Sequence, residues 1–113
     1  MIHIPSNQSL QRAELVLRLE GDGNYTNIHC LHRLKPLLIS RTLLYFQRQL
    51  PDFLRVSKST LVNPAYVVRL AKKGTVAYVY LRDDTMVLVS RRRVAETVSA
   101  LTKLGFSVEK LPK

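Results

Sequence analysis

The sequence predicts a mainly β fold built from antiparallel strands, and three observations carry that prediction. Short runs rich in β-branched and aromatic residues recur along the chain, and a turn signal closes each after about six to ten residues. Only two segments have helical spacing, so the helical crossovers that parallel strands need are largely absent. At 113 residues, with no internal repeat, the chain reads as one domain. That length can bury about two-thirds of its unfolded surface without staples.

Taken in order, residues 1–13 form an N-terminal lead-in and residues 14–113 form the domain. The first eleven or so are polar, contain Pro5 and lack periodicity, which fits a loose segment or one added strand. Residues 14–20 (ELVLRLE) read as a strand, and Gly21-Asp22-Gly23-Asn24 as a turn. Residues 25–31 (YTNIHCL) give a second strand, residues 32–36 an exposed basic loop, and residues 37–41 a short third strand. Residues 42–50 (TLLYFQRQL) differ: Leu43, Phe46, Gln47 and Leu50 sit at helical spacing, Thr42 can cap, and Pro51 stops the pattern.

The stretch 53–66 (FLRVSKSTLVNPAY) mostly alternates apolar with basic or hydroxyl side chains. It reads as a half-buried strand that ends at the Asn63-Pro64 bend. Residues 66–70 form another strand, Lys72-Lys73-Gly74 a basic turn, residues 76–81 (VAYVYL) a strand, residues 82–85 a turn and residues 86–89 (MVLV) a strand. Ser90 is placed to cap a helix over residues 91–104, with Val94, Val98 and Leu101 on its apolar face. Residues 106–111 either add an edge strand or trail off.

The charge balance narrows function. Eighteen Lys and Arg against eight Asp and Glu leave +10, a charge that favours polyanions, nucleic acid first. Cys30 is the single cysteine, so no intrachain disulfide forms, and its apolar setting makes it a small buried filler. No apolar run reaches the length of a membrane span, and the N-terminus lacks the pattern of a signal peptide. The expected location is cytoplasmic.

Catalytic patterns are missing, and the chain is expected not to be an enzyme. His3, His29 and His32 lack metal-ligand spacing with each other, with Cys30 or with the acids. Gly21-Asp22-Gly23 matches neither phosphate-cradling glycine pattern, and the adjacent Asp83-Asp84 pair belongs to a turn. Neither a metal nor a cofactor is expected.

The basic residues carry more. Arg91, Arg92 and Arg93 stand where the last helix should begin, where cations oppose the helix dipole at about 0.3–1 kcal/mol each. Such placement suits anion binding better than stability. Lys58 and the basic loops point the same way, although a solubilising face would look alike. Asn24, Tyr25 and Thr26 offer an amide, a phenol and a hydroxyl at a hairpin mouth, suited either to DNA or to turn formation. Tyr45, Phe46 and Phe53 read as core. The aromatics are not spaced as stacking platforms, which weighs against single-stranded RNA.

Three motifs resemble the LytTR family of bacterial DNA-binding domains. Phe53, Arg55, Lys58, Ser59, Leu61, Val62 and Asn63 follow that family's F-x-R-x-H-R-S-x-[I/L/V]-V-N signature, with Ser57 and Lys58 replacing the usual His-Arg pair. Residues 20–26 resemble its E-x-x-G-N-Y-x opening, and residues 42–50 its short helix. Residues 81–91 resemble its L-x-D-G-x-x-[I/L]-x-V-S-R close, with Asp84 in place of the glycine.

The resemblance implies an elongated antiparallel β-fold of small stacked sheets with one or two short α-helices. It implies sequence-specific binding of double-stranded DNA, as a transcription regulator, by loops that enter successive major grooves. By position it assigns base reading to Thr26 or Tyr25, to Lys58 and to Arg92, with Asn24 in the same first loop. Ser57, Ser59, Ser90, Arg91 and Arg93 would hold the DNA backbone. Asn63 is read as a structural turn residue. Paired direct repeats are the expected operator. If the 113 residues are the whole protein, a stand-alone regulator without a receiver domain is expected to respond through abundance, self-association or a partner protein. A protein-interaction module, or a single-stranded RNA binder, is the alternative.

Overall fold

The computed structural model describes residues 13–112, so the expected lead-in lies outside the described residues except for Ala13. Nine strands form two sheets. β1 (Val16–Asp22), β2 (Tyr25–Cys30), β3 (Leu37–Ile39), β4 (Leu54–Ser57) and β5 (Thr60–Val62) make a five-stranded sheet in the order β3-β2-β1-β5-β4. β6 (Val67–Lys73), β7 (Val76–Leu81), β8 (Met86–Val89) and β9 (Val108–Lys110) make a four-stranded sheet in the order β8-β7-β6-β9. The helices are α1 (Leu43–Gln49) and α2 (Val94–Lys103). The molecule is elongated, 44 × 26 × 24 Å.

Alternation along the strands builds two cores. Leu19, Ile28 and Leu61 face α1, where Phe46 is wholly enclosed between Leu43 and Leu50. Truncating such a phenylalanine to alanine costs about 3–5 kcal/mol. Val56 and Val62 look the other way, onto Leu70, Val79, Leu81 and Leu101 of the second sheet and α2. Leu61 and Val62 are neighbours in β5, so one strand carries a residue into each core and fastens the sheets together. Gly21 permits the α1 contact: a Cβ there would lie 2.9 Å from Leu43 Cβ.

Several elements differ from the sequence reading. The stretch 53–66 is not one strand: β4 and β5 fold back on each other at Lys58-Ser59, and Pro64–Tyr66 is a 3-10 turn. The Asn63 side chain holds that turn, accepting from the Ala65 N–H at 3.0 Å and donating to the Val16 carbonyl at 2.8 Å. It is the structural residue expected. Ser90 makes no side-chain capping bond; Arg91–Arg93 form a 3-10 turn and α2 begins only at Val94. Thr42 does cap α1, accepting from the Tyr45 N–H at 3.2 Å. The edge strand at the C-terminus is present as β9, and its pairing with β6 is parallel, reached through α2.

Candidate nucleic-acid interface

Register places the first two candidate loops at one end of the five-stranded sheet. Glu20 pairs with Thr60 and Gly21 with Thr26. Gly21 also donates its N–H to the Ser59 carbonyl at 2.8 Å. The β1–β2 tip and the β4–β5 tip therefore stand side by side. The third segment joins them because the Ser90 N–H donates to the Val56 carbonyl of β4 at 2.8 Å. That bond docks the start of the arginine turn against the strand that leads into Lys58.

The result is a cleft of about 570 Å³ lined by Lys58, Ser90, Arg92, Arg93 and Glu96. Residues from β4–β5 and from the β8–α2 connection, 32 or more positions apart in sequence, share it. Glu96 is its one carboxylate, and among the described residues neither Lys58, Arg92 nor Arg93 forms an ion pair. The three arginines separate: Arg92 and Arg93 enter this cleft, whereas Arg91 lines a neighbouring recess with Thr75, Val76 and Leu88. Ser57 accepts from the Ser59 N–H at 3.2 Å, which shapes the tip between them.

Arg55 is the residue that the sequence reading quoted in a motif but gave no role. Its Nε donates to the Ser57 carbonyl at 2.9 Å, while its two terminal nitrogens reach the Lys58 carbonyl and the Gln47 side chain. One planar guanidinium thus clamps the hairpin tip to α1, using the fork geometry that lysine lacks. Burial, followed by the nearby charge of Arg93, lowers its pKa from the ordinary arginine value. The sequence signal was its position, an arginine three residues before the tip on the polar side of an alternating strand.

The first loop is arranged otherwise. Tyr25 is 49% exposed, and Asn24 is exposed beside it. Thr26 is fully buried, and its hydroxyl donates to the Arg41 carbonyl at 2.8 Å. The Thr26 side chain is therefore not presented at the surface, contrary to its expected role as a base reader. Alternation explains this: Thr26, Ile28 and Cys30 share the inward face of β2. Asn24 lines a separate groove of about 320 Å³ with Ser40, Arg41, Thr42 and Tyr45.

A cluster of matched charges lies between the sheets. Arg18 Nη1 donates to Asp83 Oδ2 and to Thr85 Oγ1, both at 3.2 Å, and Nη2 lies 3.4 Å from His29 Nδ1. His29 Nε2 is 2.6 Å from Glu20 Oε1, and Arg18 Nε is 3.6 Å from Glu20 Oε2. Burial alone would raise the Asp83 pKa, but hydrogen bonds from Thr85 and the Arg18 charge outweigh it and hold the carboxyl below its usual range. Cys30 is buried, and desolvation pushes its thiol up to about 11 against a smaller lowering by Arg33. Among the described residues no His, Cys, Asp and Glu cluster could hold a metal ion, and no helix is long and apolar enough to cross a membrane.

Comparison with known proteins agrees with this architecture. No curated protein matches the sequence. Among solved structures, the fold is similar to the LytTr DNA-binding domain of a methyl-accepting/DNA response regulator from Bacillus cereus, with a TM-score of 0.64 and 18% identity. That similarity covers 82% of this chain and 84% of the other, and it bears on the fold alone. The sequence itself matches the family described as LytTr DNA-binding domain over residues 10–102. With most of its length inside that match, the chain belongs to the LytTR family of DNA-binding domains.

Proposed function

We propose that this chain binds double-stranded DNA sequence-specifically and regulates transcription. The observation that carries the reading is the cleft that unites Lys58 with Arg92 and Arg93, three cations against the single carboxylate of Glu96 and, among the described residues, none of them in an ion pair. Cations held together without partners on a +10 chain have an anionic ligand as their natural complement. Lys58 and Arg92 are suited to guanine O6 and N7, a contact worth about 1–3 kcal/mol of discrimination when made well. Ser57, Ser59, Ser90 and Arg93 border the cleft or its tip and are placed to hold phosphates, with Arg91 doing so on the far flank. Asn24 and Tyr25 supply the first-loop contact, at the same end of the sheet. Paired direct repeats would let two copies read one operator.

Selection from a random pool of duplex DNA near physiological salt tests this directly. The expected result is enrichment of a motif in two half-sites about one helical turn apart. A Lys58→Ala/Arg92→Ala protein should keep its fold and bind the selected duplex at least about a hundredfold more weakly. Binding should also weaken steeply with salt, with a log–log slope near −5 for about six phosphate contacts. Wild-type affinity in the double variant would overturn the site assignment. Retention of DNA without any enriched motif, or preference for unpaired strands, would overturn sequence-specific duplex binding.

A further inference from the structure

The sequence resemblance put a base-reading residue at Thr26 or Tyr25, yet the Thr26 side chain is enclosed and its hydroxyl donates to the backbone of Arg41. Arg41 is held from several sides. Its N–H donates to the Ile39 carbonyl at 2.8 Å, and its own carbonyl receives the Thr26 hydroxyl at 2.8 Å. Its guanidinium lies over the Tyr45 ring, 5.0 Å from the centroid. Tyr45 in turn meets Phe46 edge-on at 5.1 Å and 88°, so the platform beneath the cation is anchored in the first core.

The side chain of Arg41 is exposed and, among the described residues, forms no ion pair. Its groove contains Asn24, Ser40, Thr42 and Tyr45, and no carboxylate. A cation stacked on an aromatic face keeps its outer N–H edge free for a planar or anionic acceptor. Asn24 adds an amide donor and acceptor to the same groove. β3 ends beside the β1–β2 tip because Thr26 pairs with Ile39, so this groove stands at the end of the sheet that carries Lys58.

We infer that Arg41, seated on Tyr45 and flanked by Asn24, makes a further contact to duplex DNA from the β3–α1 connection beside the first loop, with Thr26 acting as the residue that positions it. The inference rests on the duplex-binding reading above. The acceptor is the oxygen-rich edge of the duplex, either a backbone phosphate or guanine O6 and N7, and both suit a guanidinium fork.

Titrations of wild type, Arg41→Ala and Arg41→Lys against the selected duplex and against a scrambled duplex of equal length test it. Loss of about ten- to a hundredfold on the selected duplex in Arg41→Ala is the expected result. If the contact is to guanine, discrimination at one base pair relaxes in Arg41→Ala while binding to the scrambled duplex changes little. If it is to phosphate, binding to both duplexes weakens, the salt slope falls by about one, and Arg41→Lys restores most of it. Either pattern supports the inference, and together they name the acceptor. Arg41→Ala binding within twofold of wild type at an unchanged slope overturns it. Should the alanine variant unfold, Arg41→Gln asks the same question with the stem kept to Cδ and the charge removed. Loss in Lys58→Ala/Arg92→Ala without loss in Arg41→Ala rejects this inference alone, whereas no duplex binding by wild type rejects the function and this inference with it.

Discussion

Arg18 and Arg92 show two uses of the same side chain. Arg18, whose side chain is 12% exposed, sits between the sheets with Asp83, Thr85, His29 and Glu20 around its guanidinium. Arg92 is exposed in a cleft that it shares with Lys58 and Arg93 and with a single unpaired acid. In the seam, positive charge is matched and links β1 of one sheet to the β7–β8 turn of the other. In the cleft it is unmatched. The difference teaches which cations belong to the fold and which await a ligand, something that the net charge of the chain cannot distinguish.

Breaking the seam should have the largest effect on stability and little on DNA recognition. Arg18→Ala leaves two carboxylates and an imidazole facing a void where a guanidinium stood. A cost of about 2 kcal/mol is expected, below the 3–5 kcal/mol of a fully buried pair because the acids are partly solvated. Urea unfolding measures it. The salt dependence of DNA binding should keep its slope, since Arg18 faces protein. A changed slope with unchanged stability would reverse the assignments of the two regions.

Arg55 sharpens the comparison because it borders the cleft while serving the fold. Arg55→Lys keeps the charge but loses the fork that holds the Ser57 and Lys58 carbonyls. About 1 kcal/mol of stability should be lost, with DNA affinity several-fold lower because Lys58 is no longer held in place. The salt slope should stay as in wild type, because no phosphate contact has been removed. A slope reduced by about one would instead make Arg55 a direct DNA contact.

What the sequence disclosed follows the range of the interactions involved. α1 was legible because Thr42, the spacing of Leu43, Phe46 and Leu50, and Pro51 all act within ten residues. The alternation of residues 76–81 survives intact as β7. The reversal at Lys58-Ser59 was not legible, because the tip carries no glycine, proline or Asx residue and is held by Arg55 reaching back to carbonyls. The 3-10 turn at Arg91–Arg93 replaced a helical start because the Ser90 hydroxyl supplies no cap, while its backbone is drawn to Val56. The burial of Thr26 could have been read, since it shares the phase of Ile28 and Cys30 in β2. Asp84 occupies the left-handed region at φ 68°, which gives a physical reason for the glycine expected there.

The smallest expected effect in this series tests the charge matching of the seam itself. Asp83 has a folded-state pKa below its ordinary value of 3.8, so the folded protein releases this proton more readily than the unfolded chain. The group therefore contributes stability above pH 3.8, and that contribution is lost as pH falls through the depressed folded value. Asp83→Asn retains an acceptor for the Thr85 N–H but carries no charge to titrate. Its deficit against wild type should be under about 1 kcal/mol at neutral pH, as for a partly solvated ion pair, and should shrink in acid below pH 3.8. Chemical unfolding of the two proteins from pH 7 down to the acid limit of folding gives that difference. A deficit that stays constant as pH falls would mean that the link across the seam depends on hydrogen-bond geometry alone, and that matched charge is not what separates Arg18 from Arg92.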